Sequence, residues 1–181
     1  MELIRVTEAA GLVGMDWSLI PERQLNIATE RGSITHRTCA LIASGMTWYP
    51  DPPESCVGFI ESFQHWFEKN VEEVVAVEIR LTDHIFGYTG EPDLVARIKG
   101  HEGLSVIDYK TPTALQKSWR LQMAAYFQLC QKAYLDVQRA GSLRLDINGK
   151  APRLKWYDNV LQDYQVFLSA VTVARFKKSA R

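Results

Sequence analysis

Three residues in the middle of the chain have the types and spacing to attack a phosphodiester. Asp108 and Lys110 stand two apart in the apolar run from Leu104 to Lys110, and Asp93 follows Pro92 at the head of the preceding apolar run. Alternation along a strand puts Val106, Asp108 and Lys110 on one face and Ser105, Ile107 and Tyr109 on the other. If the two runs pair as a hairpin, the carboxylates converge. Glu78, on the strand before and on the same face as Arg80, adds a third. Carboxylates held this close repel each other unless a cation lies between them, and oxygen ligands suit Mg²⁺ and Mn²⁺. Such an ion lowers the pKa of a bound water and neutralises charge building on phosphate. A lysine two residues on can orient that water or steady the phosphoryl oxygens.

The same triplet also arises without any function. With 21 acidic residues and nine lysines in 181 positions, about one acidic-x-Lys triplet is expected by chance. Its setting carries more weight than its existence: the only such triplet in the chain lies on an apolar strand behind a Pro-Asp strand start.

The elements that must position these residues are legible in outline. The first third reads as helical, with helical spacing from Glu22 to Ser44, a stop at Gly45, and Gly32 as a kink or a boundary between two helices. Three prolines between Trp48 and Pro53 make a loop, and Glu54 to Asn70 forms an amphipathic helix with Val57, Ile60, Phe63 and Phe67 on one side. The period then changes to two. Val75, Val77, Ile79 and Leu81 alternate with Ala76, Glu78 and Arg80, and His84 to Tyr88 continues this strand or forms the next. Strands follow at Asp93–Ile98 and Leu104–Lys110, joined by a turn with two glycines and ended by Thr111-Pro112. A long helix from Leu115 to Arg139, closed by Gly141, leads to a hairpin of Leu143–Ile147 and Arg153–Tyr157 around Asn148-Gly149. A helix from Asn159 to Lys178 closes the chain. The order is that of an α/β protein with a mixed sheet flanked by helices. It reads as one domain over residues 1–181: a helical part at 1–72, a sheet-and-helix core at 73–158 and a C-terminal helix at 159–178.

Composition narrows the function classes. Formal net charge is zero, which is not the footprint of a protein spread over bulk nucleic acid. The basic tail Arg175, Lys177, Lys178 and Arg181 is a solvated helix end before it is a substrate patch. Cys39, Cys56 and Cys130 are single and widely spaced, which speaks against a disulfide framework or a closed zinc site and for buried, reduced thiols. No apolar run reaches the roughly 20 residues that span a bilayer, and the N-terminus carries no secretion pattern. The expected location is the cytoplasm, or a host cytoplasm for a phage-encoded chain, with no membrane partner. No GxxxxGK[ST] occurs, so any motor is a separate chain.

Pro92-Asp93 followed by Asp108-Tyr109-Lys110 reads as PD…(D/E)xK, and the chain resembles the PD-(D/E)xK nuclease superfamily. Further motifs narrow the resemblance to its RecB-like branch, which includes phage exonucleases. A glycine-then-histidine helix is matched by Gly32 to His36 and a Gly-x-x-Asp strand start by Gly90 to Asp93. An apolar-Asp-x-Lys-Thr strand is matched by Val106 to Thr111 and a Gln-x-x-x-Tyr helix by Gln122 to Tyr126. All four stand in the family's order and span about half the chain.

The resemblance implies a restriction-endonuclease-like core and a metal-dependent DNA exonuclease of phage-type recombination, replication or repair. A structure- or site-specific endonuclease and an inactive DNA-binding module are the alternatives on the same fold. It implies Mg²⁺ or Mn²⁺ held by His36, Asp93, Asp108 and the Tyr109 carbonyl, with Lys110 assisting the attacking water. Gln122 and Tyr126, one helical turn apart, would position the site or touch DNA. Arg120, beside Trp119, would hold a strand. The implied partners are DNA ends or single strands, with a recombinase, a single-strand-binding protein or a separate helicase, and homo-oligomers are compatible. The iron–sulfur cluster of some relatives needs four cysteines, so none is expected here.

Overall fold

The strand Leu104–Lys110 decides the architecture, because its sequence can be buried on both faces. The computed structural model describes residues 2–14, 20–111, 114–133 and 136–179. In chain order the elements are β1 (Ile4–Arg5), α1 (Val6–Gly11), α2 (Glu22–Ala43), α3 (Glu54–Asn70), β2 (Val71–Val77), β3 (Leu81–Asp83) and β4 (Tyr88–Gly90). They continue with β5 (Leu94–Ile98), β6 (Leu104–Lys110), α4 (Ser118–Ala133), β7 (Val137–Arg144), β8 (Arg153–Trp156) and α5 (Val160–Ser179). A five-stranded sheet runs β2-β5-β6-β7-β8, with β6 at its centre. Only the β6–β7 pair is parallel, and the crossover such a pair requires is α4.

Each face of β6 has its own core. Val106, with Val95 of β5, packs under α4 and α5 through Leu121, Ala125, Phe167 and Val171. Ile107 and Tyr109, with Leu94 and Ala96, pack under α2 and α3 through Cys39, Phe59, Phe63 and Trp66. A near-continuous apolar run is what a strand covered on both sides needs. The alternation read from the sequence is therefore realised, with Asp108 and Lys110 left on the α4 side at the strand's carboxyl end.

Several elements depart from expectation. The run from Val75 to Leu81 is two strands. β2 starts at Val71, straight out of α3, carries two register shifts against β5, and ends before Glu78, whose φ of 45° turns the chain. β3 then joins a second sheet of order β1-β4-β3. The bulges move Val75 to an exposed position, so strict alternation over this run does not hold. His84 to Tyr88 is mostly a turn: one Asp83 carboxylate oxygen accepts the N–H groups of Ile85 and Phe86 at 2.9 Å each, and β4 begins only at Tyr88.

The helix expected from Leu115 to Arg139 is α4 alone. Val137 to Arg144 pairs in parallel with β6, a tertiary contact that overrides weak helical preference. Gly141 caps nothing. It lies inside β7, where an added Cβ would come within 2.7 Å of the Trp156 ring. Nor does Gly32 break α2, which is continuous through it. The basic tail is used within the chain: Arg175 donates to the Phe86 carbonyl at 2.9 Å, and Lys178 pairs with Glu2 and Glu8 at 3.0 and 3.1 Å. Pro112 and Arg181 lie outside the described residues. No helix among the described residues is long and apolar enough to cross a membrane.

Asp83 ties the β3–β4 turn to α4 through Lys132. Burial alone would raise its pKa, but the Lys132 ammonium and the Phe86 and Ile85 amides outweigh burial and hold it below the ordinary value. A depressed folded pKa contributes stability above the unfolded pKa and loses it as pH falls through the folded one. Asp83→Ala is expected to lose about 1–3 kcal/mol at neutral pH, with the difference from wild type shrinking in acid below about pH 4. Urea melts across pH check this; a loss that does not shrink in acid would contradict the assignment.

Candidate active site

The end of the β5–β6 ladder creates the site. Leu94 pairs with Ile107; one step further, Asp93 stands opposite Asp108 where strand pairing has stopped. Backbone groups at such an end need new partners. Asp93 Oδ2 supplies one by accepting the Tyr109 N–H, and the Asp93 carbonyl accepts the Glu78 N–H at 3.1 Å. Asp93 Oδ1 lies 3.0 Å from His36 Nδ1. α2 thus brings an imidazole from far upstream in the sequence to the carboxylate that opens β5.

Asp108 is held from the other side by α4. Its Oδ1 accepts Gln122 Nε2 at 3.1 Å. Its Oδ2 is in contact with the Lys110 ammonium. Lys110 Nζ donates to Gln122 Oε1 at 2.7 Å and lies 5.5 Å from the centre of the Trp119 ring. Gln122 Nε2 also reaches Tyr126 Oη at 3.2 Å. Trp119, Gln122 and Tyr126 occupy one face of α4 because they are three and four residues apart. One amide therefore serves as acceptor for Lys110 and donor for Asp108, which fixes their relative positions.

The electrostatics follow from two carboxylates with little water between them. Burial raises the Asp108 pKa to about 6; Lys110 and His36 oppose the rise and Asp93 adds to it. For His36, burial lowers the pKa, but the pair with Asp93 outweighs it and the net direction is up. Burial and the nearby Asp93 also raise Glu78.

His36, Asp93, Asp108, Lys110, Gln122 and Tyr126 all line one cleft of about 630 Å³. Three other residues singled out in the sequence stand elsewhere. Tyr109 turns its ring into the α3 side, 4.8 Å from Phe63, and brings only its backbone to Asp93. Glu78 is exposed on the bend behind Asp93 and does not line the cleft. Arg120 points to α5, where its Nε lies 2.8 Å from Asp163 Oδ1. The opposite wall was not anticipated: Arg5, Thr7 and Gly11 of β1 and α1 line it. A two-residue strand and a six-residue helix are too short to show a period. Only the apolar positions Ile4, Val6, Ala9 and Ala10, all buried, hinted at them.

The donor set suits a hard divalent cation: two carboxylates and an imidazole, with Lys110 in ion-pair contact with Asp108. No group of three or more His, Cys, Asp or Glu among the described residues stands in a ready ligand array.

A family model described as the PD-(D/E)XK nuclease superfamily matches residues 53–175. That span contains Asp93, Asp108, Lys110, Gln122 and Tyr126, but neither α2 with His36 nor the β1–α1 wall. The five-stranded mixed sheet between helices is the restriction-endonuclease-like core. No curated protein matches the chain at a significant level. Among solved structures the chain is similar to LHK-Exo in complex with dAMP, at 13% identity and a TM-score of 0.43 over 97% of this chain and 89% of that one. It is similar to an alkaline exonuclease (LHK-Exo) from Laribacter hongkongensis at 11% identity and 0.42, over 98% and 92%. SSO0001 follows at 14% and 0.40, over 95% and 76%.

A carboxyl whose folded pKa lies above its unfolded value stabilises the fold when protonated and destabilises it as pH rises through the folded pKa. Asp108→Asn removes that charge. In chelator at about pH 8 the variant is expected to melt several degrees above wild type, with the gain fading as pH falls below about 6. Thermal denaturation across pH reads this; a lowered or unchanged melting temperature would contradict it.

Proposed function

Because this chain belongs to the PD-(D/E)XK nuclease superfamily, we propose that it is a Mg²⁺- or Mn²⁺-dependent DNA exonuclease serving phage-type recombination, replication or repair. The observation that supports this reading is the buried Asp108–Gln122–Lys110 network beside the Asp93–His36 pair on the floor of an open cleft. The cleft's volume is that of a small-ligand site, enough for a nucleotide.

Asp93, Asp108, His36 and the Tyr109 carbonyl are the residues that would hold the ion. When bound, it supplies Lewis-acid neutralisation of phosphoryl charge and a more acidic water. The chain's own residues do the rest. Lys110, beside Asp108, can donate to the attacking water or to a phosphoryl oxygen. Gln122 removes its rotamer freedom before substrate arrives, so the donor is oriented in advance. His36 keeps one Asp93 oxygen directed into the cleft. Glu78, the third carboxylate, stands behind Asp93 and outside the cleft, where it adds negative charge next to the site. DNA ends or single strands are the substrates of this reading; a separate helicase, a recombinase or a single-strand-binding protein is its partner in the cytoplasm, with the chain alone or as a homo-oligomer.

A fluorescent linear DNA is expected to be degraded with Mg²⁺ or Mn²⁺ and to survive in chelator. Asp108→Ala and Lys110→Ala are each expected to lower turnover by about 10²-fold or more. Covalently closed circular DNA separates the alternatives: an exonuclease leaves it intact, and cleavage of the circle would make the enzyme an endonuclease. Degradation that persists in chelator or in Asp108→Ala would overturn the mechanism.

A further inference from the structure

Lys110 does not stand alone on its face of the sheet. It pairs with Arg144 of β7, and Arg144 pairs with Arg153 of β8. The next rung in the same direction is Asp108, Ser142 and Lys155. Residues paired across neighbouring strands share a face. The alternate row bears this out: Tyr109, Leu143 and Leu154 all pack in the α3-side core. Arg144, Arg153 and Lys155 therefore share the face of Asp108 and Lys110. Neighbouring strands lie about 4.8 Å apart, so the row from Lys110 to Arg153 crosses two such spacings, from the cleft to the free edge of the sheet. Arg153 and Lys155 are exposed, and Arg144 is half-buried.

We propose that Arg144, Arg153 and Lys155 form a track that carries the DNA backbone between the cleft and the edge strand β8. The inference rests on the nuclease reading for its substrate. A chain of zero net charge gains its grip on phosphates from local placement. This row places three cations in line with Lys110, on the two strands that lead from the cleft to the edge of the sheet. The contacts are to phosphates, so they position the strand without reading its sequence.

Binding measured without turnover separates the track from the chemistry. Fluorescence anisotropy with labelled single-stranded and blunt duplex DNA is run in chelator over a salt series. Arg153→Glu/Lys155→Glu is expected to bind about tenfold more weakly at about 0.1 M salt, with a log–log salt slope smaller by about 2. Lys69→Glu/Lys99→Glu is the control. Lys99 follows the far end of β5 from Asp93, and this pair is expected to stay within about twofold of wild type. If the glutamate pair melts early, Arg153→Gln/Lys155→Gln is used, with a slope change of about 2 again expected, since the same two contacts are lost, and a smaller loss of affinity. Wild-type-like binding by the track variants, an equal loss in the control, or no DNA binding by wild type would each overturn the track. Wild type that binds through the track but does not cut DNA in Mg²⁺ would leave the track standing and end the nuclease reading.

Discussion

Two carboxylates, Asp93 and Asp108, face each other at the end of a strand pair that is otherwise dry, and much of the molecule is organised around tolerating them. Burial disfavours a charged carboxylate and a like charge nearby adds to the effect, as seen for Asp108 beside Asp93. The chain offsets this with groups from three directions: an imidazole from α2, an ammonium from two residues along β6, and an amide from α4. Each comes from a different element, so the site exists only when the sheet, α2 and α4 have all docked. A site that costs stability at neutral pH is common where chemistry is done.

The division of labour between the two cores explains how this is kept rigid. The α3-side core anchors the Tyr109 ring, which fixes the backbone N–H that Asp93 accepts. The α4-side core buries Leu121 and Ala125, which holds Trp119, Gln122 and Tyr126 toward the cleft. The N-terminal elements β1 and α1 close the far wall, and Lys178 of α5 is tied to Glu2 and Glu8 beside them. Wall and floor thus come from separate parts of the sequence, and of the floor residues all but His36 fall within the span that the family model matches.

Local pattern predicted the parts of this that depend on local pattern. α3 and β6 start and stop where periodicity places them, because their apolar faces meet a core along their whole length. The Asn148-Gly149 turn was legible from two residues. What was not legible depends on distant partners. The first residues of β7, Val137 to Arg139, read as helix until β6 is beside them. Gly141 reads as a stop until Trp156 stacks over it. Glu78 sits on an alternating run whose left-handed bend passes the chain from one sheet to the other. For the site, Asp93, Asp108, Lys110, His36, Gln122 and Tyr126 were named from sequence and do line one cleft. Arg120 was drawn off by Asp163, a buried acid on α5 that no local pattern connects to it. The β1–α1 wall is too short to carry a period.

The central claim is that the paired carboxylates, with His36 beside Asp93, are built to hold a divalent cation. Anomalous scattering from crystals soaked in Mn²⁺ tests it most directly. The account predicts one strong peak at about 2.0–2.3 Å from an oxygen of both Asp93 and Asp108, with the Lys110 ammonium displaced from Asp108. No peak between the two carboxylates at saturating Mn²⁺, with Lys110 still paired to Asp108, would contradict it.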